Sequence, residues 1–402
     1  MIRKTLLQLI YEAAYMQRWN DHMRPKGFTE LDKQAHKMVL AYILGKFEET
    51  DRKAVIDWTA LIDGALFELL HRIMLTDIKP PIFHKLMAYK GEQLNKWVLD
   101  KLEESGIYDV NGNLRDKMKL YFFDPEYHPL EKKILKASHY LATNWEFQII
   151  YSLNPRLYGI DVTKAEIENE LEEHIDLAGV QKLQMGKKTQ NFIDFVGQLR
   201  FQLRWAQTAR IPETSVMGHM LIVAYLSHLC SLELNACDKR IYNNFFAGLF
   251  HDLPEVLTRD IVSPVKRSVE GLDALIKEIE KLQVEEKILP LLPLSWHDEI
   301  RYFVEDEFQS RIIQNDKVRN VHSAEICKTY NSNEFSPIDG EIIEACDKLA
   351  AYIEAFLSMS HGIKSHNLME GHELLYSKYK NKIVAGIDFG QFFDYFKLEN
   401  LL

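Results

Sequence analysis

The chain has 402 residues, a length that predicts two or three domains. Its composition is 47% hydrophobic and 27% charged, which excludes a disordered or fibrous chain and provides for a sizeable core. Lysine and arginine number 49 against 59 aspartate and glutamate residues, so the formal net charge is −10. A net-acidic chain is a poor electrostatic match for duplex nucleic acid or an anionic membrane, and we expect neither as a partner.

Helical periodicity dominates from the N-terminus onward. Apolar residues recur at helical spacing in segments 6–13, 40–44 and 220–224. Glycine (18) and proline (12) are few, as expected for long helices. The pattern predicts an all-α protein without a membrane span, because no stretch of 18 consecutive apolar residues occurs. The 4 cysteines form no CxxC pattern and no secretory signal is evident, which predicts reduced thiols and a cytoplasmic location.

The most polar stretch lies close to the middle of the chain, over residues 164–188. Its closely spaced glutamates and lysines predict a charged helix followed by a linker. We therefore expect one domain over residues 1–175 and a second over residues 186–402.

The two halves resemble each other in sequence. Residues 36–43 match residues 219–226 at an offset of 183, and residues 63–81 match residues 246–264 at the same offset. Chance similarity between amphipathic helices is the alternative. A constant offset across two separated blocks favours a domain duplication instead.

An Arg-Trp pair supports the same interpretation. Arg18-Trp19 stand before the first block and Arg204-Trp205 before the second. The spacing from each pair to the matched histidine differs by three residues. We expect two tandem helical bundles that pack as a pseudo-dimer within one chain.

The second half carries a set of residues suited to metal binding: His219, His251, Asp252 and Asp347. Two imidazoles and two carboxylates can bind a divalent cation and leave positions open for water and substrate. Adjacent residues of a helix project about 100° apart, so His251 and Asp252 can both face one ion. His219 and Asp347 are predicted to reach it from flanking helices.

A His-Asp dipeptide alone is weak evidence, because it also occurs as a solvated pair or a helix cap. The chain contains a second such pair, His297-Asp298, without matching partner segments. We interpret that pair as an ordinary surface feature.

The longer string FFAGLFHDLPEVLTRDIVSPVKR (residues 245–267) resembles the HD-domain metal-dependent phosphohydrolases. Within them it is most similar to the bacterial HD-domain 5′-deoxynucleotidases, whose pattern is His-Asp-x-x-Glu-x-x-x-x-Asp followed by Pro-x-Lys. An Arg-Trp pair also precedes the first metal histidine in that family. The resemblance spans roughly residues 190–375. It departs at Gly218, where the family usually has glutamate.

The resemblance implies one divalent ion (Mn, Co, Ni, Fe, Zn or Mg) and attack of water on phosphorus. The implied metal ligands are His219, His251, Asp252 and Asp347, the catalytic residues are Glu255 and Asp260, and the substrate-binding residues are Arg204, Trp205 and Lys266. Glu255, four residues after His251, is expected on the same helix face. In the family the tryptophan disfavours a 2′-hydroxyl.

Most of these side chains also have structural interpretations. His219 can be a core histidine, Asp260 a helix cap and Lys266 a solvated side chain. Arg204 can form a structural ion pair, and Trp205 can pack in the core. The first half also contains an arginine and a tryptophan at the matching positions, Arg18 and Trp19.

The first half lacks at least one ligand. We match His36, Glu68, Leu69 and His139 to the metal set of the second half, and leucine cannot ligate a metal. A reduced site of His36, Glu68 and His139 is conceivable, but a degenerate copy is the better interpretation. The resembled enzymes are dimeric, so the duplicate would supply the partner surface. A homo-oligomer remains open.

The best substrate interpretation is a deoxyribonucleoside 5′-monophosphate. One alternative is a nucleoside triphosphate or a guanosine polyphosphate, on which other HD enzymes act. Another is a non-catalytic nucleotide-sensing or scaffold protein. The presence of Glu255 argues against the last, because a pure binder needs no general acid or base.

Overall fold

The computed structural model of the protein describes residues 1–259, 261 and 269–401. The chain divides into two compact units, unit 1 (residues 1–190) and unit 2 (residues 191–402). Helices dominate both units, and the strands of the described residues form two short antiparallel hairpins. The predicted all-α class is confirmed.

Unit 1 is built on α6, which packs against both α2 and α3. Its helices are α1 (Lys4–Glu12), α2 (Glu30–Phe47), α3 (Trp58–Leu75), α4 (Pro80–Leu102), α5 (Leu114–Phe123), α6 (Pro129–Leu153), α7 (Ile160–Glu172) and α8 (Ala178–Gln184). Short 3₁₀ or π turns span Glu48–Arg52, Glu103–Ser105 and Ile107–Asp109. Thr29 begins α2, because its side chain accepts a hydrogen bond from the Asp32 amide.

The polar stretch at the middle of the chain folds differently from the prediction. Its first part is helix α7, as expected for a charged helix. The expected linker is partly helical, because α8 packs against α2 and the Ala178 amide donates to Oε1 of Glu48 over 2.7 Å. The boundary between the units lies after residue 190, a few residues beyond the predicted joint.

Unit 2 surrounds α10, which packs against α11 and α16. Its helices are α9 (Lys188–Gly197, which begins just before the boundary), α10 (Val216–Glu233), α11 (Asp238–Phe250), α12 (Glu255–Thr258), α13 (Leu272–Gln283), α14 (His297–Val304), α15 (Ser323–Glu325), α16 (Gly340–Ser360), α17 (His366–Tyr379) and α18 (Phe389–Tyr395). Short 3₁₀ or π turns span Gln198–Phe201, Val284–Ile288, Leu289–Leu291, Leu294–Trp296, Ile326–Tyr330, Asn333–Phe335 and Leu398–Leu401. The hairpins pair β1 (Arg311–Gln314) with β2 (Lys317–Asn320) and β3 (Ile383–Val384) with β4 (Ile387–Asp388).

Helix α10 is apolar on every side because it is buried on every side. Among the described residues it is the one helix long and apolar enough to cross a membrane by length and composition. Within the unit, 94% of the stretch Val216–Glu233 is buried. Ser215 begins the helix by accepting a hydrogen bond from the Gly218 amide over 2.9 Å.

Two contacts fix the helices that flank α10. Gly248 on α11 approaches the α10 backbone so closely that a β-carbon there would lie 3.0 Å from the Cα atom of Ala224. Arg240 on α11 forms a fully buried ion pair with Asp339, which precedes α16, with Nε and Oδ2 2.6 Å apart. The first contact holds the end of α11 beside α10, and the second joins the start of α11 to the start of α16.

Candidate functional site

Two imidazoles lie side by side in the core of unit 2. His219 stands on α10, one turn after the capping Ser215, and His251 directly follows the last residue of α11. Their ring centroids are 5.5 Å apart, and both side chains are buried. The close helix crossing at Gly248 therefore places His251 next to His219.

Asp347 completes a group of three potential metal ligands. It lies on α16, and its Oδ1 atom is 2.9 Å from Nε2 of His219. One ligand atom from each of His219, His251 and Asp347 lies within 4.8 Å of the others. This separation allows all three side chains to reach one ion.

The nitrogen atoms of the two histidines are oriented as metal binding requires. Nδ1 of His251 lies 2.8 Å from the Gly248 carbonyl oxygen, and its buried Nε2 atom has no hydrogen-bond partner among the described residues. Nδ1 of His219 lies 3.3 Å from Oε1 of Glu354. A metal-binding imidazole usually donates its other N–H to a carboxylate or a backbone carbonyl. The residues present therefore fit a divalent cation.

Asp252 borders this group. Its Oδ2 atom is 3.2 Å from Nε2 of His251 and 3.3 Å from Nη1 of Arg204. Asp252 is thus next to the nitrogen that faces the site. Of the four ligands that the sequence predicts, three form the close group and the fourth adjoins it.

Two cations contact the carboxylates of the site. Nη1 of Arg204 reaches Asp252, and its Nη2 atom is 3.9 Å from Oδ1 of Asp347. Nζ of Lys348 is 2.6 Å from Oδ2 of Asp347. Lys348 was not found from the sequence. The one signal for it is its position directly after a predicted metal ligand.

Glu354 is a second residue that sequence reasoning missed. Its carboxylate lies near five side chains: Trp205 Nε1 donates to it over 3.0 Å and Thr214 Oγ1 over 2.9 Å, with His219 Nδ1 at 3.3 Å, Arg204 Nε at 3.5 Å and Arg210 Nη1 at 3.6 Å. It stands seven residues, two helical turns, after Asp347. That spacing places both acids on one face of α16 and could have drawn attention to Glu354.

The surrounding cations keep both acids of α16 ionised. Burial alone would raise the pKa of Asp347, but Lys348 and its other neighbours hold that pKa well below its usual range. Burial would likewise raise the pKa of Glu354, and the guanidinium group of Arg210 leads the charges that lower it. Both carboxylates therefore remain hydrogen-bond acceptors at neutral pH.

The indole of Trp205 is held in place on two sides. Its Nε1 atom donates to Glu354, and its ring packs against a cluster of Ala355, Met359 and Leu368. Trp205 also has a positive φ of 56°, which is uncommon for a residue other than glycine. The half-buried ring thus has a packing role, while its remaining exposed surface stays accessible.

Glu255 does not continue the helix that leads to His251, so the expectation that the two residues share one helix face was wrong. Helix α11 ends at Phe250, turns follow, and Glu255 is the first residue of α12. Pro254 accounts for the break, because proline has no N–H to continue a helix and favours a helix start. Glu255 is nevertheless buried, and its backbone N–H donates to the Asp252 carbonyl over 3.0 Å.

Two predicted residues, Asp260 and Lys266, lie outside the described residues. The second His-Asp pair has the predicted surface character. His297 begins α14, and the side chain of Asp298 is 99% exposed and pairs with Arg301.

The histidines of unit 1 do not form the reduced metal site that was considered. His36, Glu68 and His139 form no group of converging ligand atoms within the described part of unit 1. His36 packs edge-on against Trp145, with ring centroids 4.9 Å apart. His139 and Glu68 instead pair with lysines.

Comparisons with known proteins agree with this geometry. A family model described as "HD domain" matches residues 196–376. A 5′-deoxynucleotidase of Vibrio atlanticus is 25% identical over 178 residues, which cover 44% of this chain and 78% of that protein. A 5′-deoxynucleotidase of Photorhabdus laumondii is 24% identical over 184 residues, again 44% of this chain and 78% of the relative. No solved structure matches the chain significantly.

The segment 196–376 therefore matches an HD domain, and over this segment the chain resembles the HD-domain phosphohydrolases. The protein is a hydrolase, and this part of it is similar to the bacterial 5′-deoxynucleotidases. HD domains bind divalent metal ions, and the group of His219, His251 and Asp347 is where this chain would hold one.

Proposed function

We propose that unit 2 is a metal-dependent nucleotidase that releases phosphate from a deoxyribonucleoside 5′-monophosphate. The observation that carries this proposal is the buried group of His219, His251 and Asp347, whose ligand atoms lie within 4.8 Å of one another. The similarity to 5′-deoxynucleotidases supports the choice of substrate class. The four ligands would be these three residues and Asp252.

A divalent cation bound in such a site would polarise a phosphoryl oxygen and lower the pKa of water. His219, His251, Asp252 and Asp347 would hold it. Water attacks phosphorus, and the bond from phosphorus to the 5′-oxygen breaks. The leaving oxygen must gain a proton.

Arg204 and Lys348 would bind the oxygens of the phosphate. Both contact site carboxylates and both retain exposed side-chain surface, 13% for Arg204 and 32% for Lys348. A guanidinium group suits two phosphate oxygens at once, and an ammonium group suits a single one. The pair would orient phosphorus for attack and offset the charge that develops on its oxygens.

Glu255 would transfer the proton. Its side chain is buried and its backbone N–H donates to the Asp252 carbonyl, which supports this role. A carboxyl group in such a position can take a proton from water or give one to the leaving oxygen. Asp260 would share this role and Lys266 would assist phosphate binding, on the resemblance alone.

A monophosphate is favoured over a triphosphate or a guanosine polyphosphate. In the described part of unit 2, the partly exposed cations that contact the site carboxylates are Arg204 and Lys348. Arg210 is buried and committed to Glu354 and Thr214. Additional phosphates would need additional cations.

The test is a phosphate-release screen over ribo- and deoxyribonucleoside mono-, di- and triphosphates with Mn²⁺, Co²⁺, Ni²⁺, Zn²⁺ and Mg²⁺. We expect release from deoxyribonucleoside monophosphates that needs a divalent ion and is lost in Asp252→Ala. The matched control is Asp298→Ala, in the exposed His-Asp pair, which should keep full activity.

Release of pyrophosphate or triphosphate from a nucleotide would replace the monophosphate proposal by the other enzymatic one. Nucleotide binding without release from any substrate, with every ion, would contradict the enzymatic proposal and favour a sensor or scaffold. Equal loss in Asp298→Ala and Asp252→Ala would contradict the assignment of the site.

A further inference from the structure

The same local structure stands before the first long core helix of each unit. In unit 1 an isolated bridge joins Gln17 to Thr29, and in unit 2 another joins Leu203 to Ser215. The backbone N–H after each bridge residue donates to the carbonyl before each cap: Arg18 to Phe28 over 2.7 Å and Arg204 to Thr214 over 3.1 Å. The tryptophan that follows has a φ of 57° in unit 1 and 56° in unit 2. The pairs of positions are 186 residues apart.

This correspondence changes the alignment of the two units. Thr29 caps α2 as Ser215 caps α10, and the metal-facing His219 is the fourth residue after its cap. The fourth residue after Thr29 is Lys33. Lys33, and not His36, therefore occupies the position of His219. The offset of 183 that the sequence suggested follows the apolar pattern of the helices and misplaces this position by one turn.

The sixth helix of unit 1 repeats the arrangement of α16. Nε1 of Trp19 donates to Glu146 over 2.8 Å, as Trp205 donates to Glu354. Nε of Arg18 is also 2.8 Å from Glu146. Seven residues before Glu146 stands His139, at the position that Asp347 holds before Glu354.

In unit 1, contacts made by lysines stand at the positions that the proposed metal ligands hold in unit 2. Where His219 faces Asp347 in unit 2, Nζ of Lys33 hydrogen-bonds to Nδ1 of His139 in unit 1. On α3 the sequence match at an offset of 183 still pairs Glu68 with His251, and Glu68 forms an ion pair with Nζ of Lys37.

The second oxygen of Glu68 is also engaged. The Tyr121 hydroxyl donates to Oε1 of Glu68 over 2.5 Å. The residue after Glu68 is Leu69, which has no ligand atom. Neither oxygen of Glu68 is thus left for a metal ion.

The charges of this cluster oppose a metal ion. Lys33 and Lys37 are both fully buried. Arg18 and Arg72 both lie close to the carboxylate of Glu30. Burial holds the pKa of Lys33 well below its usual range. A divalent cation would still meet the charges of Lys37, Arg18 and Arg72 at short range in a medium of low dielectric constant, where like charges repel strongly. Burial, followed by the neighbouring Lys33, holds the pKa of His139 well below its usual range, so the ring is neutral and accepts a hydrogen bond from the lysine.

We propose that unit 1 contains a metal-free counterpart of the unit 2 site, in which the amino groups of Lys33 and Lys37 take the place of a divalent cation and join α2, α3 and α6. This inference rests on the proposed metal site of unit 2. The lysines are part of the chain and need no metal supply. Unit 1 therefore keeps the helix arrangement of the site without its chemistry.

The test measures metal content. The purified full-length protein is stripped with a chelator, dialysed against Mn²⁺, and analysed for bound metal per chain, with activity measured in parallel. We expect one ion per chain in the wild type and none in His251→Ala. Lys33→Met should also retain one ion, because removing the lysine does not create a ligand set.

A gain-of-site variant gives the complementary measurement. Lys33→His, Glu68→His, Leu69→Asp and His139→Asp together restore the four ligand types of unit 2, and this variant should bind two ions per chain. If it does not fold, the wild-type count and its His251→Ala control remain decisive.

The outcomes separate the two proposals. Two ions in the wild type, one of which survives His251→Ala, would overturn the inference and leave the proposed function intact. No bound ion in the wild type would overturn the proposed function instead. One ion that survives His251→Ala but is lost on changing Glu68 and His139 to alanine would place the metal in unit 1 and overturn both.

Discussion

The imidazole of His219 and the carboxylate of Glu354 face each other across α10 and α16, with Nδ1 and Oε1 3.3 Å apart and neither side chain accessible to solvent. A carboxylate behind a metal-binding histidine fixes the orientation of the ring and raises the basicity of the coordinating nitrogen. Glu354 also binds Trp205 and Thr214, so one acid links the proposed metal site to the loop before α10.

We therefore expect Glu354→Gln to weaken metal binding by about 10- to 100-fold, the range for such supporting residues. Titration calorimetry with Mn²⁺ on the stripped protein would measure this. Glu370→Gln, a change at an exposed glutamate of α17, is the control and should bind as the wild type does. Glu354→Ala should in addition lose about 3–5 kcal/mol of stability, because it leaves buried cations unpaired. Unchanged affinity in Glu354→Gln would refute the positioning role.

Lys348 provides a second prediction. If its ammonium group binds the substrate phosphate, Lys348→Met should raise KM by about tenfold or more, since hydrogen bonds to charged groups contribute about 1.5–3 kcal/mol. Lys348→Arg should recover part of the loss. Steady-state kinetics with saturating metal distinguishes this from weaker metal binding. Lys378→Met, at an exposed lysine paired with Glu344, is the control. A fall in kcat alone, with KM unchanged, would argue against phosphate binding by Lys348.

Trp205 and Trp19 form a matched pair for testing sugar recognition. Both donate an indole hydrogen bond to a buried glutamate, but only Trp205 lies beside the proposed site. Trp205→Ala should reduce the ratio of kcat/KM between deoxyribo- and ribonucleoside monophosphates. Trp19→Ala should lower the melting temperature and leave that ratio unchanged. A ratio that is the same in wild type and Trp205→Ala would assign this tryptophan to packing alone.

The loss of folding stability at low pH should depend on Glu30 in unit 1. Burial raises the pKa of this carboxyl, but Arg18, Lys33 and Arg72 outweigh it and lower the pKa from 4.5 to about 2. Because the folded pKa is depressed, the contribution is fully present above about pH 4.5 and is lost as the pH falls towards 2, a change of about 3 kcal/mol.

Urea unfolding of the chelator-stripped protein at pH 5 and pH 3 would measure this change. Glu30→Gln should be less stable at pH 5 and show a smaller loss between the two pH values. Glu104→Gln, at a glutamate with 75% side-chain exposure, is the control and should follow the wild type. The same pH dependence in Glu30→Gln and the wild type would be inconsistent with this assignment.

The sequence predicted that three potential ligands would come together because each of them stands in a recognisable local pattern, and metal binding by them stays a prediction. His219, His251 and Asp347 lie on long apolar helices whose period is unmistakable, and the structure brings them together. Glu354 and Lys348 carry no such pattern. Glu354 is important through contacts with segments more than a hundred residues away, which no periodicity reports, and Lys348 through its contact with the adjacent Asp347.

The alignment of the two halves shows a second limit of prediction from the sequence. Apolar helices resemble each other at several registers, so matching His36 to His219 was consistent with the sequence. The caps Thr29 and Ser215 favour a different register, and they are visible only once the helix starts are known. The helix break before Glu255 was missed for a similar reason, although Pro254 was a signal for it. The duplication and the pseudo-dimer remain predictions.

The contact between Gly248 and Ala224 has one further consequence. It fixes the separation of the α10 and α11 backbones that carry the two imidazoles, and backbone atoms cannot change rotamer as side chains can. A site of this kind is preorganised, so an ion would bind with little loss of conformational entropy. The choice among divalent metals would then be made by coordination geometry, since the protein frame cannot relax to suit an ion of the wrong size.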